Sequence, residues 1–351
     1  MFCKINHISF RKEIKQAAFL ILLSILLGRL TAANSVQAAW NLTFSDEFND
    51  GFLDTNKWYT LTAWGNRQHG NPGAQELQAY VASGEAGVTS PFSFVTDSNG
   101  SYLRIATRRN SSALPASPNG DNYSGANTPA YTSDIINTCF YDAAHPGQDC
   151  AAPHSFTQLG GYFEMRARLA SGGQGMGPAF WTYRPLPFNS SDPKEIDIME
   201  YLGQNPNQYY VSYHPTGING SVVNPNVGNL SAGFHTYAVD WDGTTGNLIY
   251  YFDGVQVATS SGQNTMPMFV MANLAISSGS WGAAPNRSTV FPSNMDIDYI
   301  RVYQKSDTGD YATIPGPTPI PVIHGTTDTT PPVTTASPAG GNLPLSSDYN
   351  A

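Results

Sequence analysis

Residues 161–169 read GYFEMRARL, and this stretch alternates apolar and polar side chains with a period of two. The apolar positions are Phe163, Met165, Ala167 and Leu169, and the polar positions between them are Glu164, Arg166 and Arg168. Successive side chains of a β-strand point to opposite faces of a sheet. The pattern therefore predicts a strand that places one face against a core.

The same alternation recurs in SYLRIATR (101–108), HTYAVDW (235–241) and MDIDYIRVY (295–303). IYYFDGVQVA (249–258) carries Asp253 and Gly254 at its centre, a pair that favours a tight β-hairpin turn. Long helical patterns are missing beyond residue 39. The chain is therefore expected to be all-β, with two stacked antiparallel sheets that form a β-sandwich or jelly roll.

The composition and the N-terminal residues favour an exported protein. Only 12% of residues are charged, and Gly, Pro and Tyr are abundant. Four basic residues precede an apolar run at 17–27, and Val36-Gln37-Ala38 fits a cleavage site, so residues 1–39 are predicted to be a signal peptide. A membrane anchor is the alternative, which the short run and Arg29 disfavour.

Charge limits the partners of the mature chain. Residues 1–39 contain five basic side chains and one acidic side chain, so their removal changes the net charge from -9 to about -13. An acidic exported protein is not suited to nucleic acid or to anionic membranes. We expect a secreted monomer, located outside the cell, in the periplasm or at the cell surface.

Cysteine positions and a composition change define the remaining regions. Cys3 lies in the predicted signal, so Cys139 and Cys150 are expected to pair in an oxidising compartment and to pin the loop between them. Pro, Thr, Gly and Ser dominate from residue 305 onward. The predicted organisation is a signal peptide over 1–39, a globular domain over 40–304 and a flexible tail over 305–351.

Residues 195–200 read EIDIME, which places three carboxylates in six positions. In a regular strand Glu195 and Asp197 share a face, whereas Glu200 points to the opposite, core side. An unpaired charge in a core is costly. We therefore predict a β-bulge at Ile198-Met199, which returns Glu200 to the face of the other two acids.

Three carboxylates on one strand face have three interpretations. Paired carboxylates hydrolyse glycosidic bonds, one as nucleophile and the other as acid/base. Oxygen-rich clusters also bind Ca²⁺, and a third possibility is a solvated strand face. Calcium loops are flexible and rich in Asp, Asn and Gly, whereas this stretch is a stiff apolar strand, so catalysis is favoured.

The stretch EIDIMEYLG (195–203) resembles the E-x-D-x-x-E signature of glycoside hydrolase family 16. Further segments similar to the family follow in its order: FSDEFNDGFLDTNKW (44–58), QELQAYV (75–81), YTSDIINT (131–138), LGGYFEMRARL (159–169), GPAFW (177–181), FHTYAVDW (234–241), YYFDG (250–254), PMFVMANLAI (267–276) and MDIDYIRVYQ (295–304). The resemblance covers residues 40–304. It implies that this region is a catalytic domain with a jelly-roll fold, whose concave sheet carries a substrate cleft.

The resemblance also implies roles for individual residues. Glu195 would be the nucleophile, Glu200 the general acid/base, and Asp197 would hydrogen-bond the nucleophile. The implied substrate-binding residues are Trp181, His214, Trp64, Asn66, Arg67 and Trp281. Packing in the core, in the sheet or in loops is the alternative for each of these six residues.

Two further implied features concern structure rather than catalysis. Glu76 in QELQ matches a motif position, for which a structural role is the alternative. Glu47 and Asp298 match positions that hold one structural Ca²⁺, and simple hydrogen-bonded acids are the alternative. No cofactor is expected for catalysis.

The resulting expectation is a secreted, retaining endo-β-glycanase that acts on a β-1,3- or β-1,3-1,4-glucan. Galactan, agar, carrageenan and xyloglucan are alternative substrates, and a transglycosylase is an alternative activity. The chain has few basic residues, which argues against a sulfated substrate. A non-catalytic carbohydrate-binding module and a calcium-dependent structural module are the alternatives from other classes.

Overall fold

The computed structural model describes residues 39–63, 76–81, 85, 88–114, 129–140, 150, 152–185, 194–215, 221–223, 225–261, 266–279 and 281–306. These described residues form sixteen β-strands and no α-helix. The first eight are β1 Ala39–Asp46, β2 Gln78–Tyr80, β3 Phe92–Asp97, β4 Gly100–Arg109, β5 Tyr131–Ser133, β6 Ile135–Asn137, β7 Gly161–Arg168 and β8 Met176–Tyr183. The others are β9 Glu195–Tyr201, β10 Tyr209–His214, β11 Ser221–Val223, β12 His235–Trp241, β13 Asn247–Phe252, β14 Val255–Ser261, β15 Phe269–Ile276 and β16 Ser293–Ser306.

The strands form two sheets, which confirms the predicted all-β jelly roll. The ten-stranded sheet has the order β14-β13-β12-β7-β16-β4-β5-β2, with β1 paired to β16 and β3 paired to β4. The six-stranded sheet has the order β11-β10-β9-β8-β15-β6. All pairings between these strands are antiparallel except that of β2 with β5. The part of the chain that is described contains no helix long and apolar enough to cross a membrane.

The main hydrophobic core lies between the two sheets. The apolar residues of GYFEMRARL contribute to it from the ten-stranded sheet, as the alternation predicts. Phe180, Ile196 and Leu274 contribute from the six-stranded sheet. The charged residues between the apolar positions of β7 point to the other face, where Glu164 and Arg166 are also buried, among ion pairs and tyrosine hydroxyls.

The predicted hairpin is present as β13 and β14. Asp253 and Gly254 connect the strands with φ angles of 47° and 74°. A two-residue hairpin turn with the twist of its strands requires positive φ at both positions, which Gly adopts freely and Asp tolerates.

Candidate active site

Strand β9 contains the predicted bulge. Next to β8, Asp197 pairs with Trp181 and Met199 pairs with Phe180, so Ile198 is an extra residue. Next to β10, the register shifts between Tyr210 and Ser212. The pairing of β9 with both neighbouring strands is therefore irregular at Ile198-Met199, which confirms the predicted bulge.

The bulge brings the three carboxylates to one face of the six-stranded sheet. Their partners on β8 are Tyr183 for Glu195, Trp181 for Asp197 and Ala179 for Glu200. These three β8 residues are partly exposed and alternate with buried ones. Cross-strand partners share a face. We call this face, which points away from the sandwich core, the active face.

The imidazole of His214 lies against the carboxylate of Asp197. The distance from His214 Nε2 to Asp197 Oδ2 is 3.0 Å. This contact is not aligned as a hydrogen bond, and within the described residues neither Asp197 Oδ2 nor His214 Nδ1 has a hydrogen-bond partner. Glu195 and Asp197 share a hydrogen bond. His214 therefore lies beside the Glu195–Asp197 pair.

Burial and mutual repulsion raise the pKa of all three acids. Burial, followed by the charge of Glu195, raises the pKa of Glu200 to about 7, against lowering effects of His214, Ser212 and Trp281. Burial and the charge of Asp197 raise the pKa of Glu195 well above its ordinary value. Burial and the charge of Glu200 raise the pKa of Asp197 in the same way. Asp197 is only 3% exposed, so its ionisation is strongly opposed.

Trp281 lies beside Glu200. Its side chain is 47% exposed, and its indole shares a hydrogen bond with the Glu200 carboxylate. Because an indole N–H can only donate, this bond favours the ionised form of Glu200. The ring of Trp281 meets that of Tyr210 edge-on with centroids 4.6 Å apart, and Ser212 Oγ donates to Glu200 Oε2 at 3.5 Å.

Trp181 lies on the active face and is held by polar neighbours. Its indole Nε1 donates to Asn273 Oδ1 at 2.9 Å, and Asn273 Nδ2 donates to the Tyr80 hydroxyl at 2.9 Å. Trp181 also packs against a small hydrophobic cluster that includes Phe269 and Met271. Trp181 is thus held by protein contacts and stays partly exposed on the active face, which leaves aromatic surface for contact with a sugar.

Sequence reasoning missed Asn273, Tyr80, Tyr210 and Ser212. Tyr210 and Ser212 are the β10 partners of Glu200 and Asp197, so alternation along the strand after the acids could have identified them. Asn273 and Tyr80 come from β15 and β2, which are distant in sequence. No local pattern predicts their contact with Trp181.

The disulfide and Glu76 lie near the same side of the sheet. The predicted Cys139–Cys150 disulfide is present, and both cysteines adjoin the cluster that supports Trp181. Glu76 Oε2 accepts a hydrogen bond from Gln78 Nε2 at 2.6 Å, and burial raises the pKa of Glu76 to about 7. Gln78 Oε1 in turn accepts from the backbone N–H of Ile276 at 2.6 Å. This chain of bonds connects β2 to the end of β15.

Trp64, Asn66 and Arg67 lie outside the described residues, as do the predicted signal before residue 39 and the tail beyond residue 306. Their proposed roles stay predictions.

The residues expected to hold calcium each have an arginine partner. Arg301 Nε and Nη2 donate to the two carboxylate oxygens of Glu47 at 2.9 and 2.7 Å. Arg166 Nη1 forms an ion pair with Asp298 Oδ2. These arginines already neutralise the carboxylates, and calcium at this position stays a prediction.

Within the described residues, one group has the spacing of a metal site: Glu195, Asp197 and His214, whose ligating atoms lie within 4.8 Å of one another.

Comparison with known proteins identifies proteins that this chain is similar to. The model of the family "Glycosyl hydrolases family 16" matches residues 140–301. An endo-1,3-1,4-beta-glycanase, ExsH, from Rhizobium meliloti is 33% identical over 280 residues, which cover 74% of this chain and 51% of the relative. The chain thus spans about half the length of that relative.

Two further relatives match over nearly their full length. A beta-glucanase from Rhodothermus marinus is 28% identical over 330 residues, covering 86% of this chain and 99% of the relative. The catalytic domain of an endo-1,3-beta-glucanase (laminarinase) from Thermotoga petrophila has 26% identity and a TM-score of 0.58, and the match covers 77% of this chain and 100% of that structure.

Proposed function

The chain belongs to glycosyl hydrolases family 16, and we propose that it is a retaining endo-β-glucanase that cleaves internal bonds of a β-1,3- or β-1,3-1,4-glucan. The observation that carries this proposal is the bulge in β9, which brings Glu195 and Glu200 to one face with Asp197 between them. The similarity to proteins named beta-glucanase, laminarinase and endo-1,3-1,4-beta-glycanase supports the substrate class.

Glu200 has the properties of a general acid. An acid that donates a proton near neutral pH must keep that proton in the free enzyme, and burial raises the pKa of Glu200 to about 7. In the first step the proton moves from Glu200 to the glycosidic oxygen as the bond to the leaving sugar breaks. In the second step Glu200, now a carboxylate, takes a proton from the attacking water.

Glu195 is the proposed nucleophile. Its carboxylate attacks the anomeric carbon and forms a glycosyl ester, which water then hydrolyses to restore the original configuration. Burial raises the pKa of both Glu195 and Asp197 well above their ordinary values, so the two neighbouring carboxyls are not expected to be ionised together. Attack requires Glu195 to be ionised, and the charge of His214 lowers its pKa.

The two glutamates can be assigned separately by chemical rescue. Glu195→Gly should lose hydrolysis, and azide should restore cleavage of an activated β-glucoside by direct attack, which yields the α-glycosyl azide. Glu200→Gly should accumulate the glycosyl-enzyme, and azide should release the β-glycosyl azide. The same anomer from both variants would overturn the assignment. Asp240→Asn is the control, since Asp240 pairs with Lys305 on the ten-stranded sheet and should not affect the reaction.

The polysaccharide is tested with a panel of soluble glycans. Wild-type protein should release oligosaccharides from laminarin or from mixed-linkage β-glucan, and NMR of the fresh products should show the β-anomer first. Cleavage of galactan, agar or xyloglucan with no cleavage of either glucan would contradict the substrate proposal. Binding without cleavage of any glycan, unchanged in Glu195→Gln, would instead support a carbohydrate-binding module.

We also propose that the protein is exported and that residues 1–39 are removed. The disulfide between Cys139 and Cys150 supports an oxidising compartment, because such bonds are rare in reducing cytosol. N-terminal sequencing of the protein recovered outside the cytoplasm should begin at or near Trp40. An intact N-terminus in a membrane fraction would support the anchor instead.

A further inference from the structure

Three charged residues form a row across the ten-stranded sheet, far in the topology from the active face. Asp296 on β16 pairs in register with Arg104 on β4 and, on the other side, with Arg168 on β7. The residues that precede the two arginines, Leu103 and Ala167, belong to the core between the sheets. The three charged side chains therefore point outward from the sandwich.

The hydrogen bonds of this row leave donors free. Arg104 donates from Nε to Asp296 Oδ1 at 2.6 Å and from Nη2 to Oδ2 at 3.0 Å. Arg168 donates to Oδ2 from Nη2 at 2.6 Å and from Nε at 3.2 Å. Both Nη2 groups also approach the Tyr102 hydroxyl, at 3.5 and 3.3 Å. Among the described residues, Nη1 of each arginine donates no hydrogen bond, and each carries two N–H groups.

A structural ion pair does not require the second arginine. Arg104 alone already contacts both oxygens of Asp296 in a bidentate arrangement. Arg168 adds a second positive charge to a carboxylate that is 4% exposed, while the side chains of Arg104 and Arg168 stay 28% and 25% exposed. The row itself holds two arginines and one carboxylate, and the charge of the exposed Asp97 also acts on both arginines.

Aromatic rings hold the two guanidinium groups in place. The guanidinium carbon of Arg168 lies 5.0 Å from the centre of the Phe234 ring, and that of Arg104 lies 5.8 Å from the centre of the Tyr102 ring. Stacking of this kind fixes the plane of a guanidinium and reduces the entropy lost when it binds a ligand. The Tyr102 hydroxyl donates to the exposed Asp97, which does not line the cavity.

A cavity of about 270 Å³ opens beside the row, and its lining includes Arg104, Arg168, Asp296, Ser171, Ser231 and Ser293. The volume is several times the share of one water molecule in the liquid, about 30 Å³, so it exceeds what a bare small anion fills. Hydroxyl groups around a pair of arginines match a ligand that carries both hydroxyls and a carboxylate.

We propose that this cavity, the arginine pocket, binds the carboxylate-bearing unit of an acidic carbohydrate at a site separate from the active face. The carboxylate accepts hydrogen bonds from Nη1 of Arg104 and Arg168, and the sugar hydroxyls contact the surrounding serines. The pocket anchors an acidic glycan on the ten-stranded sheet. This binding does not require the proposed hydrolysis, because the pocket and the three acids lie on different sheets.

Calorimetric titration with glucuronate, glucose and inorganic sulfate tests the proposal. Glucuronate should bind at one site, and glucose should not bind there because it lacks the carboxylate. Arg168→Gln should weaken glucuronate binding about tenfold, the effect of losing one charge-assisted hydrogen bond. Arg108→Gln is the matched control on the same strand as Arg104, since Arg108 bonds the Ser90 carbonyl and does not line the cavity.

Two further variants test the proposal independently of Arg168→Gln. Ser231→Tyr should block the pocket without touching an ion pair, so it tests binding even if Arg168→Gln does not fold. Glu200→Gln should bind glucuronate like wild type, which separates this site from the active face. Unchanged binding in both pocket variants, no binding of glucuronate, or saturable binding of sulfate without glucuronate would each overturn the proposal.

Discussion

Replacement of Trp281 by Phe should shift the pH dependence of the reaction. The indole N–H of Trp281 bonds the Glu200 carboxylate and lowers its pKa, whereas Phe keeps an aromatic ring against Tyr210 and offers no donor. Without this bond the ionised form of Glu200 is less stable, so its pKa rises from about 7. A general acid must be protonated, so the variant should stay active to higher pH.

The size of the shift follows from the strength of one hydrogen bond. A bond to a charged group contributes about 1.5–3 kcal/mol. Trp281 is 47% exposed, and solvent screening lowers this contribution to about 1 kcal/mol. Because one pKa unit corresponds to about 1.4 kcal/mol, the pKa of Glu200 should rise by about 0.7.

The assay is kcat/KM against pH on a soluble β-glucan, because its basic limb reports the acid of the free enzyme. The matched control is Tyr210→Phe: the Tyr210 hydroxyl accepts from Asn205 and Gln208 and does not bond Glu200. The control should keep the basic limb of wild type. A basic limb that stays in place or moves to lower pH in Trp281→Phe would refute the assignment of Glu200 and its bond to Trp281.

Three other changes test separate parts of the structure. Zn²⁺ should bind Glu195, Asp197 and His214 and inhibit hydrolysis, because the ligating atoms of these three residues lie within 4.8 Å of one another. Calorimetry should show that His214→Asn loses the Zn²⁺ site. The control His235→Asn should keep it, because His235 pairs with a single carboxylate elsewhere. Phe180→Ala should lower the free energy of unfolding by about 3–5 kcal/mol in urea titrations, because Phe180 is fully buried between the sheets. Deletion of Ile198 should abolish cleavage even where circular dichroism shows a folded β protein, since it removes the extra residue of the bulge.

Local sequence patterns predicted the strands well, because side-chain alternation reports burial directly. The alternation in GYFEMRARL corresponds to β7, Gly161–Arg168, and the Asp253-Gly254 pair corresponds to the β13–β14 turn. The bulge was predictable for a related reason. Two acids separated by an odd number of positions point to opposite faces of a regular strand. Both can avoid the core only if the strand contains one extra residue between them.

Contacts between distant segments could not be predicted from these patterns. Trp181 is held by Asn273, because β8 pairs with β15 rather than with a strand near it in sequence. Trp281 was expected at the rim of the cleft, but its bond to Glu200 depends on how the loop after β15 returns over the sheet. Sheet order and loop path are set by the packing of the whole domain, and alternation within one strand carries no information about either.

The bulge explains both the geometry and the acidity of the active face. If β9 continued regularly from the Asp197–Trp181 pair, Met199 would stand opposite Ala179 on the active face and Glu200 opposite the buried Pro178. A charged Glu200 would then lie in the core, and an apolar Met199 would replace it beside the other acids. With the bulge, Met199 packs in the core, and Glu200 lies on the active face, where burial and then the charge of Glu195 raise its pKa. The extra residue of the bulge thus places the second carboxylate on the active face, in surroundings where it retains a proton.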